Sequence, residues 1–152
     1  MKQMMTLEVN GETHELSVEK DATLREVLRD QIGLIGPKRG CDSGGTVHID
    51  GKAVYSCLCY ALSYDGAKIL TADGLSSGPA LHPIQQAFID AGAVQCGYCT
   101  CGMMMSAKQL IDECPQPDEE QIRHGLSGNL CRCTGYTKIV EAIKLASERL
   151  AQ

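Results

Sequence analysis

Four cysteines in two close pairs constrain this chain more than any other feature. The first pair is Cys96-Gly97-Tyr98-Cys99 and the second is Cys131-Arg132-Cys133. Four thiols grouped two and two indicate either a metal site or disulfide bonds. The thiols of a Cys-x-Cys segment are too close in sequence to bridge one another without strain, so a metal site is the better interpretation.

The full complement of nine cysteines supports the same interpretation. The number is odd, and the residues after Met1 form neither an apolar signal core nor a twin-arginine motif. We therefore expect a cytoplasmic protein, in which disulfides are rare. No apolar run approaches the length that spans a bilayer, and a net charge of −5 without a basic cluster argues against a nucleic-acid partner.

Each cysteine pair precedes a segment with helical periodicity. Apolar residues recur three and four positions apart after Cys99 and again after Cys133. Helix N-termini present unpaired N–H groups and the positive end of the macrodipole, which suit an anion. We therefore expect both pairs at helix N-termini, where four thiolates around a [2Fe–2S] core would be well placed.

The first half of the chain has the pattern of a small α+β unit. Met5, Leu7 and Val9 alternate with polar residues, and Asn10-Gly11 is a strong signal for a hairpin turn. A capping box, residues 23–26, predicts the start of a short helix. Short strands are expected near residues 47–49, 53–55 and 69–71. This order predicts a β-grasp-like domain over residues 1–76.

The second half, residues 77–152, is predicted to be helical. Residues 73–82 are rich in Gly, Ser and Pro and are interpreted as the linker. Four helices are expected, beginning at Pro83, after Cys99, near Glu119 and near Thr137. The predicted fold class is therefore α+β, with a β-grasp domain followed by an all-α four-helix domain. Each half is small, so a bound cluster would also stabilise it.

The cysteine motifs are long enough to be specific. The chain closely resembles the iron–sulfur subunit of the molybdenum hydroxylases, the xanthine dehydrogenase family, over QCGYCT at residues 95–100 and SGNLCRCTGY at residues 127–136. It resembles the same subunit in the first half, at residues 23–30, 40–45, 50–54 and 56–58. The resemblance thus covers nearly the whole chain.

The resemblance implies an electron-transfer subunit that performs no bond chemistry itself. Two [2Fe–2S] clusters are implied, one in a plant-ferredoxin-like β-grasp domain and one in the helical domain. Electrons from a molybdopterin centre in a large subunit would pass through the helical-domain cluster and then the other, in many members towards FAD in a medium subunit. The implied ligands of the helical-domain cluster are Cys96, Cys99, Cys131 and Cys133, with Gln95 and Cys133 closest to the partner's pterin.

One loop departs from the family pattern. Residues 40–45 join directly to Thr46, and the family's Cys-Gly-Ala-Cys tetrapeptide, which supplies two ligands of the plant-type set, is absent. The thiols at matching positions are Cys41 and Cys57, with Cys59 as a possible third and Asp42 or His48 as a possible fourth ligand. Either the relay to an external acceptor is cut or rerouted here, or the written sequence omits the tetrapeptide.

Other interpretations stay open at this point. Cys101 stands where the family commonly has proline; we interpret it as a packing residue, with an extra redox-sensitive thiol as the alternative. Four thiolates can also hold zinc. The alternative function is accordingly a stand-alone ferredoxin-like carrier or a zinc-stapled binding module.

Overall fold

The structure, a computed structural model, describes residues 1–39 and 45–152. Cys41 and Asp42, both named above as candidate ligands, lie outside the described residues. Five strands form one mixed sheet in the order β2-β1-β5-β3-β4. Their bounds are β1 Lys2–Val9, β2 Glu12–Glu19, β3 Thr46–Ile49, β4 Lys52–Tyr55 and β5 Lys68–Leu70. β1 pairs with β5 in parallel, and the other pairings are antiparallel.

Two tight turns fix the register of the hairpins. Asn10 and Gly11 have φ values of 52° and 86°, and Asp50 and Gly51 have 48° and 86°. Two successive residues with positive φ make the turn whose twist matches that of antiparallel strands. The predicted hairpin at Asn10-Gly11 is confirmed, with Val9 opposite Glu12.

A short helix crosses the sheet and covers its apolar face. Helix α1 spans Leu24–Glu26 and continues as a π-helical turn over Val27–Gln31. The predicted capping box is present: the Thr23 hydroxyl accepts from the Glu26 N–H at 3.3 Å, and the Thr23 N–H donates to the Glu26 carboxylate at 2.9 Å. Buried apolar side chains of this segment then pack against the sheet: Leu24, Val27 and Leu28.

Four helices follow, as the periodicity predicts. They are α2 Pro83–Asp90, α3 Thr100–Glu113, α4 Glu119–Gly125 and α5 Thr137–Leu150. Asp118 caps α4 by accepting from the Gln121 N–H at 2.8 Å. His82 caps α2, where its Nδ1 accepts from the Ile84 N–H at 3.2 Å, a role that the sequence analysis did not assign. Within the described residues, no helix is long and apolar enough to cross a membrane.

The buried apolar side chains form two clusters. One lies between the sheet and α1, and the other lies among α2 to α5. Ala72 comes just before the predicted linker and Leu75 lies within it, and both pack with the helical cluster. The α+β class is confirmed, and the boundary between residues 76 and 77 stays a prediction.

A polar seam joins β3 and β4 to the helices. The buried His48 ring, with Nε2 2.7 Å from the Met105 carbonyl oxygen, donates to α3. The Thr46 hydroxyl donates to the amide oxygen of Asn129 at 3.0 Å. The Ala53 N–H donates to the side chain of Gln109. These hydrogen bonds attach α3 and the segment that precedes Cys131 to β3 and β4.

Candidate metal centre

The first cysteine pair lies on the turn that leads into α3. Gly97 has a φ of 77°, a conformation that residues with a Cβ rarely adopt, and it reverses the chain between the two thiols. The N–H of Tyr98 donates to Cys96 Sγ at 3.5 Å. Cys99 is the N-cap residue of α3, so this pair occupies the helix N-terminus that the periodicity predicts.

The second pair lies in the loop before α5 rather than at its N-terminus. Residues 134–136 separate Cys133 from the helix, and Tyr136 adopts a left-handed conformation with a φ of 69°. The hydroxyl oxygen of Tyr136 accepts from the Cys131 N–H at 3.0 Å. The loop is thus held by side-chain hydrogen bonds, which cannot be predicted from the spacing of apolar residues.

Thr134 gives the Cys131 sulfur two polar neighbours. Its N–H donates to Cys131 Sγ at 3.4 Å, and its hydroxyl lies 3.0 Å from the same sulfur. Burial by itself would raise the pKa of the Cys131 thiol, but these hydrogen bonds outweigh burial and lower it. They therefore favour the thiolate, the form that binds metal.

The four thiols meet across one cavity of about 120 Å³. Cys99 contacts Cys131, and Cys96 contacts Cys133. Burial, followed by the contact with Cys131, raises the pKa of Cys99 to about 12. Contact with the Cys96 thiol raises the pKa of Cys133. Metal binding at these positions has to displace protons, as is general for thiolate sites.

The cavity has a buried side and an exposed side. Cys99 and Cys131 are half-buried, whereas Cys96 and Cys133 are exposed, as is Gln95. Large apolar side chains near the exposed pair are also open to solvent: Val94 (42% exposed), Tyr98 (49%) and Leu130 (63%). Exposed apolar side chains that lie together are typical of surfaces that bind another molecule.

The structure describes three of the candidate ligands of the first half of the chain, namely Cys57, Cys59 and His48. Cys57 lies in the 3₁₀ turn Ser56–Leu58. The Ser56 N–H of this turn donates to the Gly45 carbonyl at 3.1 Å. Cys59 packs against the core of the sheet and contacts the Tyr64 hydroxyl. His48 is turned to the Met105 carbonyl. Whether Cys41 and Cys57 bind iron stays a prediction, because Cys41 is outside the described residues.

Several residues of the site were quoted in the motifs above without a role. Thr134 and Tyr136 position Cys131, and Asn129 joins the Cys131 loop to β3. All three lie within the SGNLCRCTGY motif, so the sequence identified this segment but not the hydrogen bonds that these residues make. Lys38, which borders the cavity from the first half of the chain, had no sequence signal of its own.

Two further cysteines and three methionines of α3 and its C-terminus lie outside the lining of the cavity. Cys101 is half-buried against the helical core, and Met103, Met104 and Met105 are buried in it. Cys114 is the C-cap residue of α3, with its sulfur 3.8 Å from the Gln121 amide oxygen. None of the described cysteines forms a disulfide bond.

The donor set fits a binuclear iron–sulfur cluster. Among the described residues, no three His, Cys, Asp or Glu side chains converge on a single ion position. The thiols instead meet as two contacting pairs around one cavity. A [2Fe–2S] cluster is held by four thiolates shared between two irons, so two pairs are the arrangement it requires. Fold and site together define an iron–sulfur protein of the [2Fe–2S] class.

Comparisons with known proteins agree with this class. Residues 71–144 match the model of a [2Fe–2S] binding domain family. The chain is 42% identical to the nicotinate dehydrogenase small FeS subunit of Eubacterium barkeri, over 97% of this chain and 96% of that protein. It is 39% identical to the aldehyde oxidoreductase iron–sulfur-binding subunit of Escherichia coli, over 94% of this chain and 71% of that protein.

The crystal structure of quinoline 2-oxidoreductase from Pseudomonas putida 86 superimposes with a TM-score of 0.94 at 37% identity, covering 99% of this chain and 96% of the other. The chain belongs to the family of iron–sulfur small subunits of the molybdenum hydroxylases.

Proposed function

We propose that the chain relays electrons from a molybdopterin centre in a large subunit through a [2Fe–2S] cluster held by Cys96, Cys99, Cys131 and Cys133. The observation that carries the proposal is the meeting of these four thiols as two contacting pairs around one cavity. When bound, the cluster supplies a centre that accepts and gives single electrons.

The pairs suggest how the ligands divide between the two irons. Cys99 and Cys131 would hold the inner iron, and Cys96 and Cys133 the outer one. The chain then contributes hydrogen bonds to sulfur, from the N–H groups of Tyr98 and Thr134. Such bonds, together with burial, are the means by which a protein sets the reduction potential of a cluster.

The exposed pair sets the direction of the relay. Cys96, Cys133 and Gln95 lie at the surface beside the apolar rim of Val94, Tyr98 and Leu130. We expect this rim to be covered by the large subunit, with Gln95 and Cys133 nearest the pterin. A partner at this surface would exclude water from the outer iron and shorten the path for the electron.

The onward path depends on the first half of the chain, which we propose to be a β-grasp, ferredoxin-like domain over residues 1–76, with the helical domain over residues 77–152. The sequence retains Cys41 and Cys57 at family positions but lacks two intervening thiols. With the sequence as written, we propose that the helical-domain cluster is the only regular one in this chain. The relay towards a medium FAD subunit would then be cut or rerouted.

The substrate of the complex is chosen outside this chain. Relatives named for nicotinate, for aldehydes and for quinoline share its fold or sequence at 37% to 42% identity. A subunit that is common to complexes with such different substrates carries the electrons rather than the specificity. The complex is proposed to be cytoplasmic, where thiols stay reduced.

Zinc-stapled binding modules and stand-alone carriers remain the competing functions. A structural zinc ion would need the four sulfurs around one point in tetrahedral geometry. The pairwise arrangement of the thiols favours two irons instead. A stand-alone carrier would leave the apolar rim open to solvent, which disfavours it.

The test is a count of iron, acid-labile sulfide, zinc and molybdenum per chain in the complex purified through a tag on this subunit, beside its intact mass. We expect about two irons and two sulfides per chain, co-purifying with molybdenum. Four irons at the written mass would show that the first domain also holds a cluster. Zinc without iron would overturn the electron-transfer function, and iron without molybdenum or partner chains would favour the stand-alone carrier.

A further inference from the structure

One cation from the first half of the chain reaches the cysteine cavity. Lys38 lines this cavity together with the four cysteines. Its ammonium donates to the Ile35 carbonyl at 3.0 Å and lies 3.9 Å from the Cys101 sulfur. Lys38 is half-buried, so its charge is less screened by solvent than a surface charge would be.

The local packing keeps this ammonium in place. Gly36 and Pro37, which precede it, are buried, and the Asp73 side chain lies directly against the α-carbon of Gly36. Pro37 in turn accepts a hydrogen bond from Arg29 through its carbonyl, at 3.3 Å. The segment that carries Lys38 is therefore fixed by Arg29 and Asp73, which both belong to the first half of the chain.

No ion pair of Lys38 is seen among the described residues, although the Asp73 carboxylate also acts on the Cys101 sulfur and offsets part of the charge there. The hydrogen-bond acceptors of Lys38 in this part of the chain are a carbonyl and a sulfur, and the ion pairs found there join other residues. Arg132 also borders the cavity, but it is exposed, so water screens its charge more strongly.

We propose that Lys38, which lines the cavity, raises the reduction potential of the helical-domain cluster, and that the Ile35 carbonyl and the Cys101 sulfur hold its ammonium. The inference rests on the proposed ligand set of Cys96, Cys99, Cys131 and Cys133. Reduction by one electron adds one negative charge beside the ammonium. A nearby positive charge stabilises the more negative oxidation state, which makes the cluster easier to reduce.

The contact between Lys38 and Cys101 links two distant parts of the chain. Cys101 lies in the first turn of α3, 63 positions after Lys38. We therefore assign Cys101 as a positioning residue for the ammonium.

The experiment is a potentiometric titration of the whole complex, followed by the EPR signal of the reduced cluster. Lys38→Met removes the charge and keeps the aliphatic stem, whereas Lys38→Arg keeps the charge. Lys144→Met is the matched control, because Lys144 pairs with Glu119 at 2.9 Å and does not line the cavity. We expect Lys38→Met to shift the redox equilibrium about tenfold towards the oxidised form, a fall of about 59 mV for a one-electron couple. Lys38→Arg and Lys144→Met should stay close to the wild-type potential.

An unchanged midpoint in Lys38→Met, with iron content intact, would overturn the inference and leave the proposed function standing. Absence of a [2Fe–2S] signal from the wild-type complex would instead overturn the proposed function. If Lys38→Met fails to retain iron, Lys38→Gln, which keeps a donor for the Ile35 carbonyl, has to show the lower midpoint. Loss of iron from both variants would also contradict the inference, because Lys38 would then be required for the cluster to be retained.

Discussion

The hydroxyl of Thr46 donates to the amide oxygen of Asn129 at 3.0 Å, in a buried position. Thr46 is the first residue of β3, and Asn129 precedes the Cys131 loop by two positions. The amide nitrogen of Asn129 donates to the Ser106 hydroxyl of α3 at 2.5 Å. One side chain therefore connects the sheet, α3 and the loop that carries two of the proposed iron ligands.

Asn129→Ala is expected to destabilise the chain and to loosen the second cysteine pair. It removes one buried and one partly buried hydrogen bond and leaves polar groups of Thr46 and Ser106 without that partner, a cost of about 2–3 kcal/mol. The measurement is the free energy of unfolding in urea, with iron content beside it. Gln86→Ala is the control, because its hydrogen bond to Asp90 is exposed and contributes only about 0.2–0.5 kcal/mol. Equal losses in the two variants would contradict the role of Asn129.

Gly128 is expected to tolerate no larger side chain. A Cβ at this position would overlap the hydroxyl oxygen of Tyr55 and lie 2.9 Å from its Cζ. Gly128→Ala should therefore destabilise the chain by about 1–3 kcal/mol, the usual cost of overpacking. Thermal unfolding of Gly128→Ala, Tyr55→Phe and the double variant measures this effect. We expect the double variant to recover part of the loss, whereas simple additivity would show that Tyr55 is not the obstacle.

Cys131→Ala is expected to abolish the helical-domain cluster. The variant removes the thiol that Thr134 holds in the form suited to metal, and it leaves one iron with a single thiolate. Iron content, EPR and turnover with external acceptors are the measurements. Cys114→Ala is the control, because its sulfur lies 3.8 Å from the Gln121 amide oxygen and the residue does not line the cysteine cavity. A retained cluster signal and unchanged turnover in Cys131→Ala would contradict the ligand assignment.

Stability is expected to fall as the pH falls below about 6.5, the ordinary pKa of histidine. Burial lowers the pKa of His48, although its hydrogen bond to the Met105 carbonyl opposes this; Lys108 and Asp112 are the charged groups that face it. The unfolded chain therefore binds the proton at a higher pH than the folded chain does. The contribution of His48 to the free energy of unfolding is fully present above the pKa that histidine has in the unfolded chain. It is lost as the pH falls towards the lower pKa of the folded chain, with a slope of at most about 1.4 kcal/mol per pH unit for one proton.

The measurement is the free energy of unfolding between pH 5 and pH 8 (values set by the histidine range), for the wild type and for His48→Gln. Glutamine keeps a donor for the Met105 carbonyl and does not titrate, so its profile should be flatter. Part of the slope should remain, because burial also lowers the pKa of His82. Identical profiles for the two proteins would show that His48 does not contribute.

Local patterns predicted most of the elements of this fold. The hairpin at Asn10-Gly11 follows from two residues that accept positive φ, and the start of α1 follows from a capping box between Thr23 and Glu26. Apolar periodicity predicted α3 and α5 because burial on one helix face is a property of spacing alone. The predicted helix differs from the structure in its last turn, which is π-helical over Val27–Gln31. The spacing of apolar residues does not distinguish a π-helical turn from an α-helical one.

The elements, the two cysteine pairs and the family resemblance could all be recognised from the order of the residues. The packed molecule shows in addition which thiols contact one another, that Cys96 and Cys133 form the exposed side, and that Lys38 and Asn129 join the two halves at the cavity. The difference follows from the range of the interactions. Turns, caps and helix faces are set by residues a few positions apart, whereas these contacts join residues far apart in the chain and exist only after the sheet and helices have packed.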